Sequence, residues 1–383
     1  MRDSHEERND RESDSASSPT ILASSQSRFC DKTYIPQWVS YCITFYAFPL
    51  NMMLISLVVF ISGLFSQSVP IRTMFLIYAG YIIIDRKRCD GIDYPCHRFP
   101  FNLLRHWVRN NWLYGISTAY HPIRLHKTAE LPAYDKEGNE RQYFFTCHPH
   151  GVICVGTWSI FASDEVGFQK LFPGIKPYLA GIKHAFFIPF FRDWCILAGC
   201  ISAGKESLCH TLGNRKKSVA INLGGAAEAF MSLEENKETG NPKMKLLLKD
   251  RKGFCKIALQ HGVNLVPILS LEEQLLYDLL PLPHLLFKVQ VMLQKHVFGV
   301  APVLAWGNKW PLMPKARELN VFVGKPIPCP QKDDPSSAEV DALHKRYCQE
   351  LEALFHECKK TVKGCENWEL ELVEHPIKQI SVD

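Results

Sequence analysis

Two apolar runs near the start of the chain limit its architecture more than any other feature. Residues 41–65 are strongly apolar and end LNMMLISLVVFISGLF, and a second run covers 71–84. The link between them, Ser66-Gln67-Ser68-Val69-Pro70, is too small for a domain, so the runs are expected to return on each other as a helical hairpin. A bilayer span needs about 20 apolar residues. The first run meets that length, whereas the second, which contains Arg72, is short. A hairpin that crosses twice and one that dips in and returns both stay open. Arg86-Lys87-Arg88 follows directly, and the positive-inside bias turns that end to the cytosol. Residues 38–85 are therefore expected to be membrane-embedded. Residues 1–28, polar and without a hydrophobic pattern, are expected to be a disordered tail with no signal peptide.

Beyond the hairpin the pattern alternates in the manner of an α/β domain. Short apolar or β-branched runs at 121–126, 143–146, 186–190, 218–223, 265–269 and 321–323 read as strands. Residues 163–171, 205–212, 253–261 and 338–362 read as helices. The last of these carries one stripe through Val340, Leu343, Tyr347, Leu351 and Leu354, which is core packing. His106, Trp107, Arg109 and Trp112 look like an interfacial helix, since aromatic and basic residues gather at headgroup depth. A length of 383 residues, 46% of them hydrophobic, allows a sizeable core. The net charge of +5 is too small to argue for nucleic acid and suits a membrane surface or an anionic substrate. The 14 cysteines are scattered, with no C-x-x-C pair, and no N-x-S/T sequon occurs. They read as reduced residues of a chain facing the cytosol.

The strand at 143–146 runs into Cys147-His148-Pro149-His150-Gly151. Two imidazoles one residue apart, with Pro fixing φ between them and Gly after, make a rigid corner. A neutral imidazole is the side chain best suited to accept a proton near pH 7. A second strand, 218–223, ends at Gly224-Gly225-Ala226-Ala227-Glu228. Bare backbone N–H groups there would hold an oxyanion, and Glu228 would orient an imidazole of the first corner. Gly199 to Glu206 nearly spells a phosphate-binding P-loop, but Glu206 stands where the motif needs a hydroxyl. Lys243, Lys245, Lys249, Arg251, Lys252 and Lys256 form a basic run that suits either solvent or a phosphate-bearing substrate. There is no G-x-S-x-G elbow and no H-E-x-x-H; His148 and His150 lack an obvious third metal ligand.

Taken together, these blocks resemble the diacylglycerol acyltransferase type 2 family, which includes monoacylglycerol and wax-alcohol acyltransferases. The resemblance rests on His148-Pro149-His150-Gly151, on Phe172-Pro173-Gly174-Ile175-Lys176-Pro177-Tyr178, and on Leu223 with Gly224 to Glu228. It extends to Arg251-Lys252-Gly253-Phe254 with Gly262 and Leu265-Val266-Pro267, and to Gly324-Lys325-Pro326-Ile327 with the helix bearing His344 and Tyr347. It covers residues 38–364. The chain departs from the family at Ser270-Leu271-Glu272-Glu273, where Phe-Gly-Glu and a polar residue are usual, and at Gly156-Thr157, where Gly-Ala is typical.

The resemblance implies a glycerolipid-acyltransferase-like α/β domain over 89–364, on the cytosolic side of the hairpin, followed by a C-terminal tail over 365–383. It implies transfer of a fatty acyl group from acyl-CoA to diacylglycerol at the endoplasmic reticulum and lipid-droplet surface. His150 would take the acceptor proton, helped by Glu228, with His148 fixing the corner or sharing the role. Gly151, Gly224 and Gly225 would form the oxyanion turn, and Arg251 and Lys252 would bind the CoA phosphates. No metal or redox cofactor is called for; acyl-CoA is a co-substrate, and the other partners are membrane lipids and acylglycerols. A homo-oligomer stays open. The alternatives are a monoacylglycerol or wax-alcohol acyltransferase, a non-catalytic lipid-binding hairpin protein, and a metal-dependent hydrolase using both histidines.

Overall fold

The computed structural model describes residues 21–27, 36–47, 49–85, 101–294, 303–308 and 313–374. The tail expected before residue 21, the Arg86-Lys87-Arg88 flank, and residues 89–100 and 375–383 lie outside them. The strands are β1 (Ala23–Gln26), β2 (Ile123–Lys127), β3 (Tyr143–His148), β4 (Tyr178–Gly181), β5 (Cys200–Ser202), β6 (Val219–Asn222) and β7 (Glu234–Glu235). They continue as β8 (Pro242–Leu247), β9 (Asn264–Leu271), β10 (Asp278–Leu279), β11 (Ala305–Trp306), β12 (Leu319–Val323) and β13 (Glu369–Val373). The helices are α1 (Gln37–Ala47), α2 (Pro49–Leu64), α3 (Val69–Ile84), α4 (Phe101–Arg109), α5 (Trp112–Tyr120) and α6 (Val155–Phe161). After them come α7 (Phe168–Leu171), α8 (Phe191–Ala198), α9 (Lys205–Cys209), α10 (Gly253–His261), α11 (His284–Leu293) and α12 (Ser337–Cys358).

The expected α/β class holds. The main sheet runs β1-β2-β12-β9-β3-β6-β4-β5, and its half from β9 to β5 is entirely parallel. Helices cover both faces, which is why β3 is buried at every position and reads as one unbroken apolar run. Alternation along β3 sends Tyr143, Phe145 and Cys147 to one core, with Phe161, Phe168 and Phe186. Phe144 points to the other core, with Phe254, Tyr347 and Phe355 of α10 and α12. After β3 the chain builds β4, β5 and β6 on one side of it and then crosses to β9 on the other. In open α/β sheets the crevice at the carboxyl ends of strands beside such a switch is where ligands bind.

The hairpin forms, but its first run does not make one long helix. Pro49 begins α2, as its fixed φ and missing N–H favour, so the apolar run is divided between α1 and α2. With α2 and α3 at 16 residues each, no described helix is long and apolar enough to cross a membrane. The hairpin is nonetheless bare: Val58, Phe65, Ile77, Ile83 and Ile84 are exposed. One flank docks on the α/β domain beside α8. The Tyr78 ring stacks on Phe190 at 4.8 Å, and its hydroxyl donates to Asp193. Asp85 accepts from Arg192 at 2.7 Å, with both side chains buried.

Three expectations need correction. Residues 23–26 are not part of a disordered tail but pair antiparallel with β2. The C-terminal tail does not begin at 365, because Cys365 and Trp368 are buried and β13 pairs in parallel with β8. The strand expected at 186–190 is a 3-10 turn, Lys183–Phe187, leading into α8. Periodicity cannot separate these outcomes in so short an apolar run. Cys147, Cys195, Cys200, Cys255, Cys329, Cys358 and Cys365 are buried, whereas Cys42, expected in the core, is exposed.

Candidate active site

Because β3 and β6 are neighbours in parallel, the turns at their carboxyl ends lie side by side. The first holds His148 to Gly151, and the second holds Leu223 to Glu228. Sequence reading brings these two blocks together correctly, although it misjudges how they touch. Glu228 is fully buried and does not contact an imidazole. One carboxylate oxygen accepts from the backbone N–H of His150 at 2.7 Å, and the other accepts from the Leu247 N–H at 2.8 Å. Burial raises its pKa against the pull of these two donors and of Arg251. Gly224 leaves room for this carboxylate, since a Cβ there would lie within 2.3 Å of all three of its carboxyl atoms.

The two imidazoles have separate surroundings. His148, the last residue of β3, shares the parity of Phe144 and turns toward α12. It is buried, and its Nε2 lies 2.9 Å from the Tyr347 hydroxyl, which donates to Thr146 Oγ1 at 2.6 Å. With the phenolic proton committed to Thr146, Nε2 is the donor to Tyr347. Burial lowers the His148 pKa to about 3, so the ring is neutral and enclosed.

His150 lies past the strand end and lines a cavity of about 230 Å³. Its Nδ1 lies 2.8 Å from the Gly151 carbonyl, an acceptor only, so Nδ1 carries the proton and Nε2 keeps its lone pair. Burial lowers its pKa, so the ring is neutral at pH 7. Gly151 has φ +60°, in the left-handed region, and a Cβ there would lie 3.0 Å from Glu273 Cγ. The cavity wall is mainly apolar, with Val152, Trp158, Phe186 and Phe191. Asn222, Gly225 and Ala226 supply polar or bare backbone groups, and Met53 of the hairpin closes one side. Gly225 and Ala226 open the 3-10 turn Gly225–Phe230, whose first amides have no preceding turn to bond.

Other predicted residues fall farther out. Arg251 Nη2 reaches the Gly224 carbonyl at 3.5 Å, behind the turn. Lys252 is half exposed and pairs with Asp341 of α12 at 2.7 Å. The near P-loop is no loop: Gly199 caps α8 with φ +91°, and β5 follows at once. Sequence reading missed Glu273. It is buried and accepts from the N–H groups of Val155 at 2.6 Å and Gly156 at 3.1 Å and from Ser270 Oγ at 3.0 Å. It thereby holds the start of α6 beneath the corner. Its only sequence signal is the departure at 270–273. Sequence reading also passes over Asn222, which lies inside the strand expected at 218–223 and accepts from Thr157 Oγ1 at 3.0 Å.

The sequence has counterparts among known proteins. The family model for diacylglycerol acyltransferase matches residues 96–373. This chain belongs to that family. It is 34% identical to the human 2-acylglycerol O-acyltransferase 3 over 264 residues, 67% of this chain and 74% of the relative. Identity to the zebrafish (Danio rerio) diacylglycerol O-acyltransferase 2 is 33%, over 66% of this chain and 69% of that protein. The human acyl-CoA wax alcohol acyltransferase 2 is 32% identical over 71% of this chain and 79% of its own length. No solved structure matches the chain. The family match spans both corners, the cavity walls other than Met53, and β13.

Proposed function

We propose that the chain transfers a fatty acyl group from acyl-CoA to the hydroxyl of diacylglycerol, giving triacylglycerol. The observation that carries this reading is the neutral His150, its Nε2 unprotonated, on the wall of an apolar cavity in a protein of this family. The acceptor hydroxyl gives its proton to Nε2 as its oxygen attacks the thioester carbonyl. Gly225 and Ala226 line the same cavity, and their amides are assigned to hold the developing oxyanion. Collapse of the tetrahedral species breaks the C–S bond, and the imidazolium returns the proton to the departing CoA sulfur. Glu228 and Glu273 act from below by fixing the backbone that carries His150 and α6. His148 supports the corner through Tyr347. CoA phosphates are assigned to Arg251, whose guanidinium lies at the Gly224 carbonyl behind the turn, with Lys252 farther out.

The hairpin supports a membrane site. Each helix of 16 residues rises about 24 Å, less than the hydrocarbon core of about 30 Å. A bare apolar hairpin of that length suits a dip into the cytosolic leaflet of the endoplasmic reticulum or a lipid-droplet monolayer. Met53 then brings the embedded helix α2 to the wall of the acyl cavity, where insoluble substrates enter from the leaflet.

The test is acyl transfer by microsomes expressing this chain, given labelled oleoyl-CoA and, separately, diacylglycerol, monoacylglycerol or a long-chain alcohol. Labelled triacylglycerol formed fastest from diacylglycerol is the expected result. Faster ester formation from another acceptor would reassign the substrate, and no ester from any acceptor would remove the acyltransfer reading.

A further inference from the structure

The segment Phe172 to Tyr178 plays no part in the reaction described above, yet it borders a strongly cationic concavity. This groove, about 350 Å³, lies where β3, β4 and β6 begin, lined by Arg141, Tyr178 and Ser218. His150 follows the opposite end of β3, and six strand residues place the two ends about 20 Å apart. The groove is therefore separate from the acyl cavity.

Its cations are Arg105, Arg109, Arg141, Lys176, Lys216 and Lys217, against the two carboxylates Asp164 and Glu140. Both carboxylates are already engaged, Asp164 by Arg109 at 2.7 Å and Glu140 by Lys217 at 2.5 Å. Among the described residues the lining thus keeps more cations than carboxylates. Two guanidiniums are also gathered at one aromatic ring: Arg105 lies 5.4 Å and Arg215 5.1 Å from the centre of Tyr178, which is buried. Lys216 holds a left-handed backbone, φ +48°, on the groove rim.

One wall identifies the source of the anion. Helix α4 carries Arg105 and Arg109 on the groove side, while Leu103, Leu104 and Trp107 are exposed. An amphipathic helix with bare Leu and Trp beside Arg lies at the depth of lipid headgroups. We infer that this groove is a second ligand site, which takes the phosphate of an anionic glycerophospholipid at the membrane surface. Planar guanidiniums and mobile lysines together match a phosphate, which accepts from several donors at once. This site stands independently of the chemistry at His150.

Binding of a fluorescent short-chain phosphatidate to the full chain in neutral detergent micelles tests it. Competitors are inorganic phosphate, short-chain phosphatidylcholine and the nucleotide half of coenzyme A. The groove variant joins Lys176→Ala to Lys216→Asn, because Asn tolerates the left-handed backbone. Two exposed lysines of α12 and the turn after it, changed as Lys345→Ala with Lys360→Ala, control for net charge. Phosphatidate affinity is expected to fall about tenfold in the groove variant and with rising salt. It should be unchanged in the control and in His150→Ala, so failure of the acyltransfer reading leaves this result intact. Equal binding by the groove variant, or displacement by phosphatidylcholine as readily as by phosphatidate, would overturn the site. Displacement by the nucleotide or by inorganic phosphate in preference to phosphatidate would overturn the lipid as its source.

Discussion

His148 and His150 differ by two residues in sequence and by nearly everything else in surroundings. The α12 side of β3 encloses the first: its Nε2 bonds Tyr347, and burial holds it neutral to about pH 3. The crevice side presents the second, which lines the cavity with Nδ1 tied to its neighbour's carbonyl and the Nε2 lone pair uncommitted to that bond. Strand parity decides the fate of His148, and the end of the strand decides that of His150. An imidazole inside a sheet with both faces covered becomes part of the core. One just beyond the carboxyl end of a central parallel strand sits where substrates arrive.

The largest expected effect breaks or upholds this comparison directly. His150→Ala should lower acyl transfer by about 10²–10⁴-fold, the range for removing a general base, with an unchanged thermal melt. Equal product from the variant would return the base role to His148. In the wild type the lowered pKa of His150 places the acid limb of kcat/KM below pH 6.5, because the ring is protonated only under more acidic conditions. An acid limb above pH 7 would contradict the neutral ring. Next is Glu228→Ala, which strands two buried N–H donors at a cost on the order of 3 kcal/mol, read by denaturant unfolding. Its kcat should fall along with stability, because His150 loses the anchor of its own backbone. Glu228→Gln offers one acceptor oxygen and should be intermediate in both.

On the enclosed side the signs separate. Tyr347→Phe removes the hydroxyl between His148 and Thr146 and should cost about 1–3 kcal/mol of stability. Acyl transfer per folded molecule should stay within a few-fold of wild type. A fall in kcat as deep as that of His150→Ala would mean that the enclosed histidine belongs to the reaction.

Much of this arrangement was legible in the sequence, and the failures have physical causes. The apolar run into His-Pro-His-Gly and the β-branched run into Gly-Gly-Ala-Ala-Glu marked both strand ends, and their pairing at the crevice follows from an α/β sheet. The partner of Glu228 was not legible. A carboxylate meets the nearest unpaired donors, which here are backbone amides fixed by tertiary approach, and no local pattern records them. Lys252 looked like Arg251 in the sequence, yet one residue of helix-entry geometry sends it to Asp341. The hairpin was legible as apolar, but its helix lengths depended on Pro49, which divides a run whose average composition suits a span. The edge strands β1 and β13 carry too little apolar character to declare themselves and exist because partners supply their hydrogen bonds.

The smallest effect concerns Glu273, the carboxylate beneath the reactive corner. Burial raises its folded-state pKa to about 7 from an ordinary 4.5. Between those values the folded protein holds a proton that the unfolded chain has released, so this group's contribution to stability falls as pH rises from 4.5 through 7. Below 4.5 its contribution is complete, and above 7 it has been lost. Glu273→Gln carries the charge of the protonated acid, with one oxygen to accept from Val155 N–H and a donor toward Ser270, and gives up only the longer bond from Gly156 N–H. Near pH 5 the variant should therefore melt within a few degrees of wild type. As pH rises through 7 its Tm should gain on that of wild type, since only the wild type must bury a new negative charge. A Tm difference that stays flat with pH would mean that Glu273 is ionised throughout, stabilised by the two amides at the start of α6. In that case the enclosed and reactive sides of the corner would share the same kind of charged anchor.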